Sequence, residues 1–164
     1  PNKLQRSLMR LDEAPAFMRG FVQNIILRRA VPFTGTAGVQ FVSLTPERVE
    51  VRLANEHRVR NHIGSVHASA MNLLAETATG MAVGMNVRDD CLPLAKELSM
   101  AFKKRATGAL KAVATLTAEQ RAAMQASDKG EVQVKVTVTD ETGVEPVECA
   151  FTWAWVPSSR PAKN

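Results

Sequence analysis

The sequence predicts an α+β fold in which one antiparallel sheet wraps a long buried helix. Three observations carry this reading. A stretch from about Ser65 to Asn86 is apolar all round and rich in small residues, among them Ala68, Ser69, Ala75, Ala78, Gly80, Ala82 and Gly84. A helix of that composition is buried on all sides and closely approached by other backbone. Two strand signals precede it and about four follow it, grouped around a single helix rather than alternating with helices.

The elements follow in order. Residues 12 to 30 read as an amphipathic helix, with Phe17, Phe21 and Ile25 at four-residue spacing, flanked by Met18, Val22 and Ile26. Asp12 near its start and Arg28-Arg29 at its end suit the helix dipole, and Pro32 stops it. Its expected role is to pack on the main core. Val39 to Leu44 is rich in strand formers, and Thr45-Pro46-Glu47-Arg48 is a turn. Val49, Val51 and Leu53 then alternate with Glu50 and Arg52 as a half-buried strand. Residues 55 to 64 form a polar connection ending at Gly64, before the buried helix.

Beyond that helix, Leu98 to Lys104 reads as a strand, and Leu110, Ala112, Ala114 and Leu116 mark one face of the next. Thr117 to Gln120 is a capping-box pattern opening a short helix to about Ala126. Asp128-Lys129-Gly130 turns the chain into the period-2 strand of Val132, Val134, Val136 and Val138. Cys149, Phe151, Trp153 and Trp155 form the last alternating face.

Composition narrows the function classes. With 164 residues, 45% hydrophobic and 23% charged, the chain has the make-up of one globular domain rather than of a disordered segment. It contains no apolar run of the ~20 residues that a membrane span needs. The net charge of +5 favours anionic partners in general, including phosphorylated small molecules. Aromatic residues are only 5% with no tyrosine, which argues against base-stacking platforms for single-stranded nucleic acid. Cys91 and Cys149 stand alone, without zinc-ligand spacing, and fit a reducing compartment. The expectation is a cytoplasmic protein with no nucleic-acid, membrane or metal partner.

The chemistry concentrates between Arg60 and Gly80. Glu76 is a carboxylate within the buried helix, which is costly unless the group is paired or used. It could activate a water as a general base or attack directly. The first turn of a helix presents unpaired N–H groups at a positive dipole end, so the His67 and Ala68 amides are candidates to hold an oxyanion. Asn61 could orient the reacting group through its amide. Each residue also has a structural reading. Glu76 could be tied to a loop amide or an arginine across an interface, His67 could be a hydrogen-bonded structural histidine, Asn61 a loop cap, and His62 a solvated loop residue. The run Lys103-Lys104-Arg105 could meet phosphate groups, with Arg58 and Arg60 as alternatives, or it could be a solvated strand end.

Asn61, Gly64, His67 and Glu76 together resemble the active-site signature of hotdog-fold acyl-CoA thioesterases of the phenylacetate-pathway type. That signature has an Asn, a Gly three residues on, a His-Gly-Gly opening the central helix, and an acidic residue fifteen after the Asn. Glu76 follows Asn61 by fifteen. Ala68 and Ser69 replace the two glycines, the acid is Glu rather than the commoner Asp, and no polar counterpart is evident near Leu94, which marks a divergent member. The resemblance implies a hotdog domain over residues 35–156, with residues 1–34 as an N-terminal helical extension and 157–164 as a flexible tail. It implies thioester hydrolysis at a site shared between protomers of a homodimer or dimer of dimers, Glu76 facing the partner's Asn61 and the partner's His67. Coenzyme A would enter as part of the substrate, its phosphates meeting Lys103, Lys104 and Arg105, and no separate cofactor is expected. Two alternatives share the fold. One is a hydratase or dehydratase using His62 and Glu76, fourteen apart, although residues 62–75 lack the proline of that class. The other is a non-catalytic acyl-binding protein, favoured by the lost glycines.

Overall fold

The axis of the molecule is helix α4 (Ala68–Asn86). Leu74, Ala75, Ala78, Ala82 and Val83 on it have no solvent exposure. The structure, a computed structural model, describes residues 1–11 and 13–158. Asp12, expected near a helix start, and residues 159–164 of the expected tail lie outside the described residues.

Around α4 curls one six-stranded sheet of β1 (Gln40–Leu44), β2 (Arg48–Leu53), β3 (Cys91–Phe102), β4 (Leu110–Thr115), β5 (Gly130–Asp140) and β6 (Val147–Pro157). The order is β1-β2-β4-β5-β6-β3, and every neighbouring pair is antiparallel. Period-2 patterning aims the inner residues at the helix. Val49, Val51 and Leu53 of β2, Leu110, Ala112 and Ala114 of β4, the four valines of β5, and Phe151, Trp153 and Trp155 of β6 are all buried in one core with α4. This is the wrapped-helix arrangement that the small-residue segment predicts. Helix α5 (Ala118–Ala126) opens with the expected capping box: Gln120 N–H donates to Thr117 Oγ1 at 3.2 Å, and Thr117 N–H to Gln120 Oε1 at 2.9 Å.

Four local expectations change. The buried helix begins at Ala68 rather than Ser65, because Val66 bridges to Arg60 and His67 is extended (φ −64°, ψ 145°). Strand β3 begins at Cys91 and ends at Phe102, rather than spanning 98–104. It lies at the sheet edge, where Pro93 can be accommodated because an edge residue need not donate. The helix expected over residues 12 to 30 is α2 (Ala16–Ala30), which starts four residues later and ends where expected, and two further helices flank it, α1 (Lys3–Leu11) and α3 (Pro32–Ala37). Pro15 precedes the first turn of α2, and Pro32 both ends α2 and opens α3, where its missing N–H costs nothing.

The fourth change is the direction α2 faces. Phe17 and Phe21, expected against the core, are 86% and 69% exposed, and Leu27 is the one buried residue of the helix. The opposite face decides the docking. Asn24 Nδ2 donates to Phe41 O at 3.1 Å while Phe41 N–H donates to Asn24 Oδ1 at 2.9 Å. Arg28 Nε donates to Val39 O at 2.7 Å. These bonds satisfy the open backbone of β1, the edge strand. The outer face of β2 also departs from simple alternation: Glu50 is only 8% exposed, clamped between Arg48 and Arg52 at 2.8 Å each.

Candidate active site

The loop before α4 is built by its own polar groups. Asn61 N–H donates to Ser65 O at 2.8 Å, and Asn61 Oδ1 accepts from the N–H groups of Ile63 and Ser65, both at 3.1 Å. Gly64 takes φ +79°, a left-handed conformation that closes the turn without a Cβ clash. Asn61 therefore serves as a loop cap through its oxygen, while its Nδ2 donor has no partner among the described residues. Arg105 reaches across to lock the same loop, its Nε donating to Ser65 Oγ at 3.1 Å and its Nη2 to Ile63 O at 2.6 Å.

The chain then enters α4 through His67. Its N–H donates to Val59 O at 2.7 Å, after a single 3-10 turn at His57–Val59. Its Nδ1 accepts from Ser69 N–H at 3.0 Å, as an N-cap, which assigns the ring proton to Nε2. The N–H groups of Ala70 and Met71 both donate to His67 O. Of the two amides expected to hold an oxyanion, the His67 N–H is thus engaged. The Ala68 N–H has no partner among the described residues and stands exposed at the positive end of a 19-residue helix.

Beside this helix start lies a cleft of about 220 Å³. Phe33, Val59 and Leu73 form apolar wall, and Arg58, Arg60 and His67 stand on its polar side. Arg58 is ion-paired to Glu56 at 2.8 Å, and Arg60 donates to the Asn55 side chain and carbonyl. Within the basic run, Arg105 is committed to the 61–65 loop and Lys103 pairs with Glu148 at 3.2 Å. Lys104 has no side-chain partner among the described residues. Arg105 alone of the run bonds to the Asn61–Ser65 loop, while the Lys103 and Lys104 N–H groups donate to Pro146 O.

Glu76 is half-buried on α4, and its carboxylate has no hydrogen-bond or ion-pair partner among the described residues. Burial strips water from it and pushes its pKa above the ordinary 4.5. Eight residues separate it from Ala68, or about 12 Å along the helix at 1.5 Å per residue. One protomer therefore brings Asn61, His67 and Ala68 together and holds Glu76 apart from them. His62 is exposed on the loop. Asn72 lies one helical turn before Glu76, and its Oδ1 is buried with no partner among the described residues. No motif marks Asn72 in the sequence; only the burial of its Oδ1 singles it out.

The model of a family described as a domain of unknown function, DUF4442, matches residues 21–156. The chain belongs to the DUF4442 family. No curated protein matches it. This DUF4442 chain is similar to a Pseudomonas aeruginosa protein of unknown function described as a probable thioesterase, at 25% identity and a TM-score of 0.75, over 84% of this chain and 95% of that one. It is also similar to a thioesterase-family protein of Silicibacter pomeroyi, at 17% identity and a TM-score of 0.64, over 85% of this chain and 100% of the other. A third similar structure is a glutamine-to-alanine variant of a Staphylococcus aureus thioesterase, at 16% identity and a TM-score of 0.64, over 77% of this chain and 99% of that one. The DUF4442 chain has the hotdog fold of the thioesterase type, as a divergent member. No helix among its described residues is long and apolar enough to cross a membrane.

Proposed function

We propose that this chain is an acyl-CoA thioester hydrolase whose active site is completed by a second protomer. One observation carries the reading: among the described residues Glu76, the one charged residue of α4, has no partner for its carboxylate and a raised pKa, and the Ala68 N–H that opens the same helix has no partner either. A half-buried carboxylate with no partner costs folding free energy, which favours a use for it beyond structure. An acceptor of protons and a donor for an oxyanion are what hydrolysis of a thioester needs.

Glu76 takes a proton from a water, whose oxygen adds to the thioester carbonyl. The negative oxygen of the tetrahedral adduct is held by the partner's Ala68 N–H. The adduct collapses with loss of the C–S pair to sulfur, and protonated Glu76 returns the proton to the thiolate, giving free acid and free thiol. In the alternative route a Glu76 carboxylate oxygen adds to the carbonyl itself, the C–S bond breaks with thiolate leaving, and water then hydrolyses the resulting anhydride to the free acid and Glu76 while its proton passes to the thiolate. Asn61, with its oxygen engaged in the loop, offers Nδ2 to position the thioester. Lys104, the one side chain of the 103–105 run without a partner among the described residues, is best placed to meet coenzyme A phosphates, and the cleft at Phe33 and Leu73 offers apolar room beside the helix start.

A spacing supports the assignment of Asn61 and Glu76. In the Staphylococcus aureus protein a glutamine and a glutamate have each been replaced by alanine, fifteen positions apart (47 minus 32 in that protein's own count). Asn61 and Glu76 stand at the same separation.

The deciding experiment is hydrolysis of short, long and aromatic acyl-CoAs, read by free-thiol release, for the native chain and Glu76→Gln. Turnover that falls by about 10²–10⁴ in the variant is expected for loss of a general base. Retained turnover in a folded Glu76→Gln protein overturns the role of Glu76. No turnover by the native chain on any acyl-CoA, with saturable binding instead, makes it an acyl-binding protein.

A further inference from the structure

Helix α2 carries more apolar surface than the core takes up. Its row at four-residue steps, Phe17, Phe21, Ile25 and Arg29, is exposed at every position. Met18 and Ile26 on the same helix are exposed as well. The bonds between Asn24 and Phe41 and from Arg28 to Val39 O anchor α2 on β1, and with those bonds made the row stays outside the core. On α3, which directly follows α2, Phe33 is 60% exposed. At roughly 200 Å² per aromatic side chain, these three phenylalanines alone expose on the order of 400 Å², the scale at which exposed apolar surface marks an interaction site.

The net charge of the chain is concentrated on the same segment. Residues 1–46 hold six Lys and Arg against two acids, Asp12 and Glu13, a net of +4 out of the chain's +5. Residues 14–46 contain no acid at all. Arg29 closes the exposed row of α2. Arg10, next to exposed Met9, lies on α1, which packs against α2. Both arginines are exposed, with no side-chain partner among the described residues. An arginine stem can lie along apolar surface while its guanidinium reaches outward to an anion.

These two features together select the occupant. A second copy docking through the same face about a two-fold axis would set each cationic segment against its own copy, and like charges across an interface repel. An anionic lipid bilayer meets both features at once: apolar side chains enter the boundary between headgroups and acyl chains, and arginines meet the headgroup phosphates. Lying on the surface requires no spanning helix, and none is found among the described residues.

We propose that the exposed face of α2 and α3 docks this protein on the surface of an anionic lipid bilayer, with Phe17, Phe21 and Phe33 inserted at the headgroup boundary and Arg10 and Arg29 on the lipid phosphates. This departs from the expectation of no membrane partner because Phe17 and Phe21, expected in the core, stand outside it. The docking does not rest on the chemistry proposed above. Phe33 also lines the cleft beside the start of α4, so the docked face adjoins that cleft.

The test is co-sedimentation of the full chain with extruded vesicles of phosphatidylcholine, either pure or with about one-third phosphatidylglycerol. The native chain is expected to bind the mixed vesicles at least tenfold more tightly than the neutral ones, and to lose most of that difference in about 0.5 M salt. Phe17→Ser with Phe21→Ser should lower binding to mixed vesicles by tenfold or more at a native Tm, since both side chains are exposed. Arg10→Gln with Arg29→Gln should lower binding to mixed vesicles by about tenfold and leave the weak binding to neutral vesicles unchanged.

No binding of the native chain to mixed vesicles overturns the proposal. Binding that survives the two serine substitutions unchanged also overturns it, because the contact then lies elsewhere on the molecule. If those substitutions instead lower the oligomeric state in sedimentation without vesicles, the face belongs to a second copy and the proposal fails. Should the serine variant lose its fold, the arginine pair decides alone, and unchanged binding in it overturns the docking.

Discussion

Trp153 Nε1 donates to Thr79 Oγ1 at 2.9 Å, tying the last strand to the helical turn just after Glu76. Thr79 Oγ1 lies 3.0 Å from Ala75 O, to which it donates, so the chain of bonds runs from the indole into the backbone of the turn that carries the carboxylate. Gly80 makes this approach possible. A Cβ there would come within 2.7 Å of the Trp153 ring.

Gly80→Ala is therefore expected to destabilise the fold, despite the usual helical advantage of alanine. Overpacking against a rigid indole costs about 1–3 kcal/mol. A lower Tm together with altered tryptophan emission is the expected result. An unchanged Tm would mean that the indole shifts without cost.

Glu76→Gln should separate stability from chemistry. The raised pKa means that, between the ordinary 4.5 and the higher folded value, the folded state binds more protons than the unfolded state. Stability from this group therefore falls as pH rises through that window. Denaturant unfolding from pH 4 to pH 8 should show the native chain losing this contribution and Glu76→Gln not losing it. A variant less stable than the native chain at pH 8 would indicate that the carboxylate has a structural partner.

Glu50 has the opposite sign. Its hydrogen bond from Arg48 and then that from Arg52, outweighing burial, hold its carboxyl below the ordinary range. Its contribution is present above the unfolded pKa and is lost as pH falls through the folded one. Glu50→Gln should cost about 1–3 kcal/mol at pH 7, the scale of hydrogen bonds to a charged group, and the difference from the native chain should shrink in acid. Equal stabilities at pH 7 would show that the arginines are satisfied by water alone.

Asn61 does two jobs that two substitutions can divide. Asn61→Ala strands the Ile63 and Ser65 N–H groups and should cost about 1–2 kcal/mol. Asn61→Asp keeps the accepting oxygen and loses the Nδ2 donor. It is expected to retain the native Tm while hydrolysis falls. Full activity in Asn61→Asp would confine this residue to the loop.

Within the basic run, Lys104→Ala should raise KM and leave kcat close to native, as for an interaction made equally in ground and transition states. Arg105→Ala releases Ser65 and Ile63 and should lower kcat as well, through the loop it holds. If both variants change KM alone, Arg105 binds substrate rather than positioning the loop.

Much of this architecture was legible in the residues. The small apolar stretch ending at Asn86, the four alternating valines of β5, the Phe151-Trp153-Trp155 face and the Thr117 capping box all act through spacing along the chain. Helix and strand periods translate such spacing directly into burial. The candidate site was legible as a set of residue types, Asn61, His67, Ala68 and Glu76, because a carboxylate in an apolar helix and a free helix start are local features.

Their grouping was not legible. Val59 takes the His67 amide, Arg105 reaches back forty residues to Ser65, and Phe41 pairs with Asn24 so that Phe17 and Phe21 face outward. In each case a polar group met a partner from another element, and satisfying that partner outweighed the local pattern. The sequence by itself determined that α4 is a largely buried helix and that an antiparallel sheet encloses it. Only the tertiary structure decided that, among the described residues, the Ala68 N–H at the start of α4 has no partner while the His67 N–H is taken by Val59 O, and that the Asn72 Oδ1 is buried without one. Periodicity records what lies beside a residue along the chain, whereas a hydrogen bond is made or left unmade by whatever the fold brings across from elsewhere.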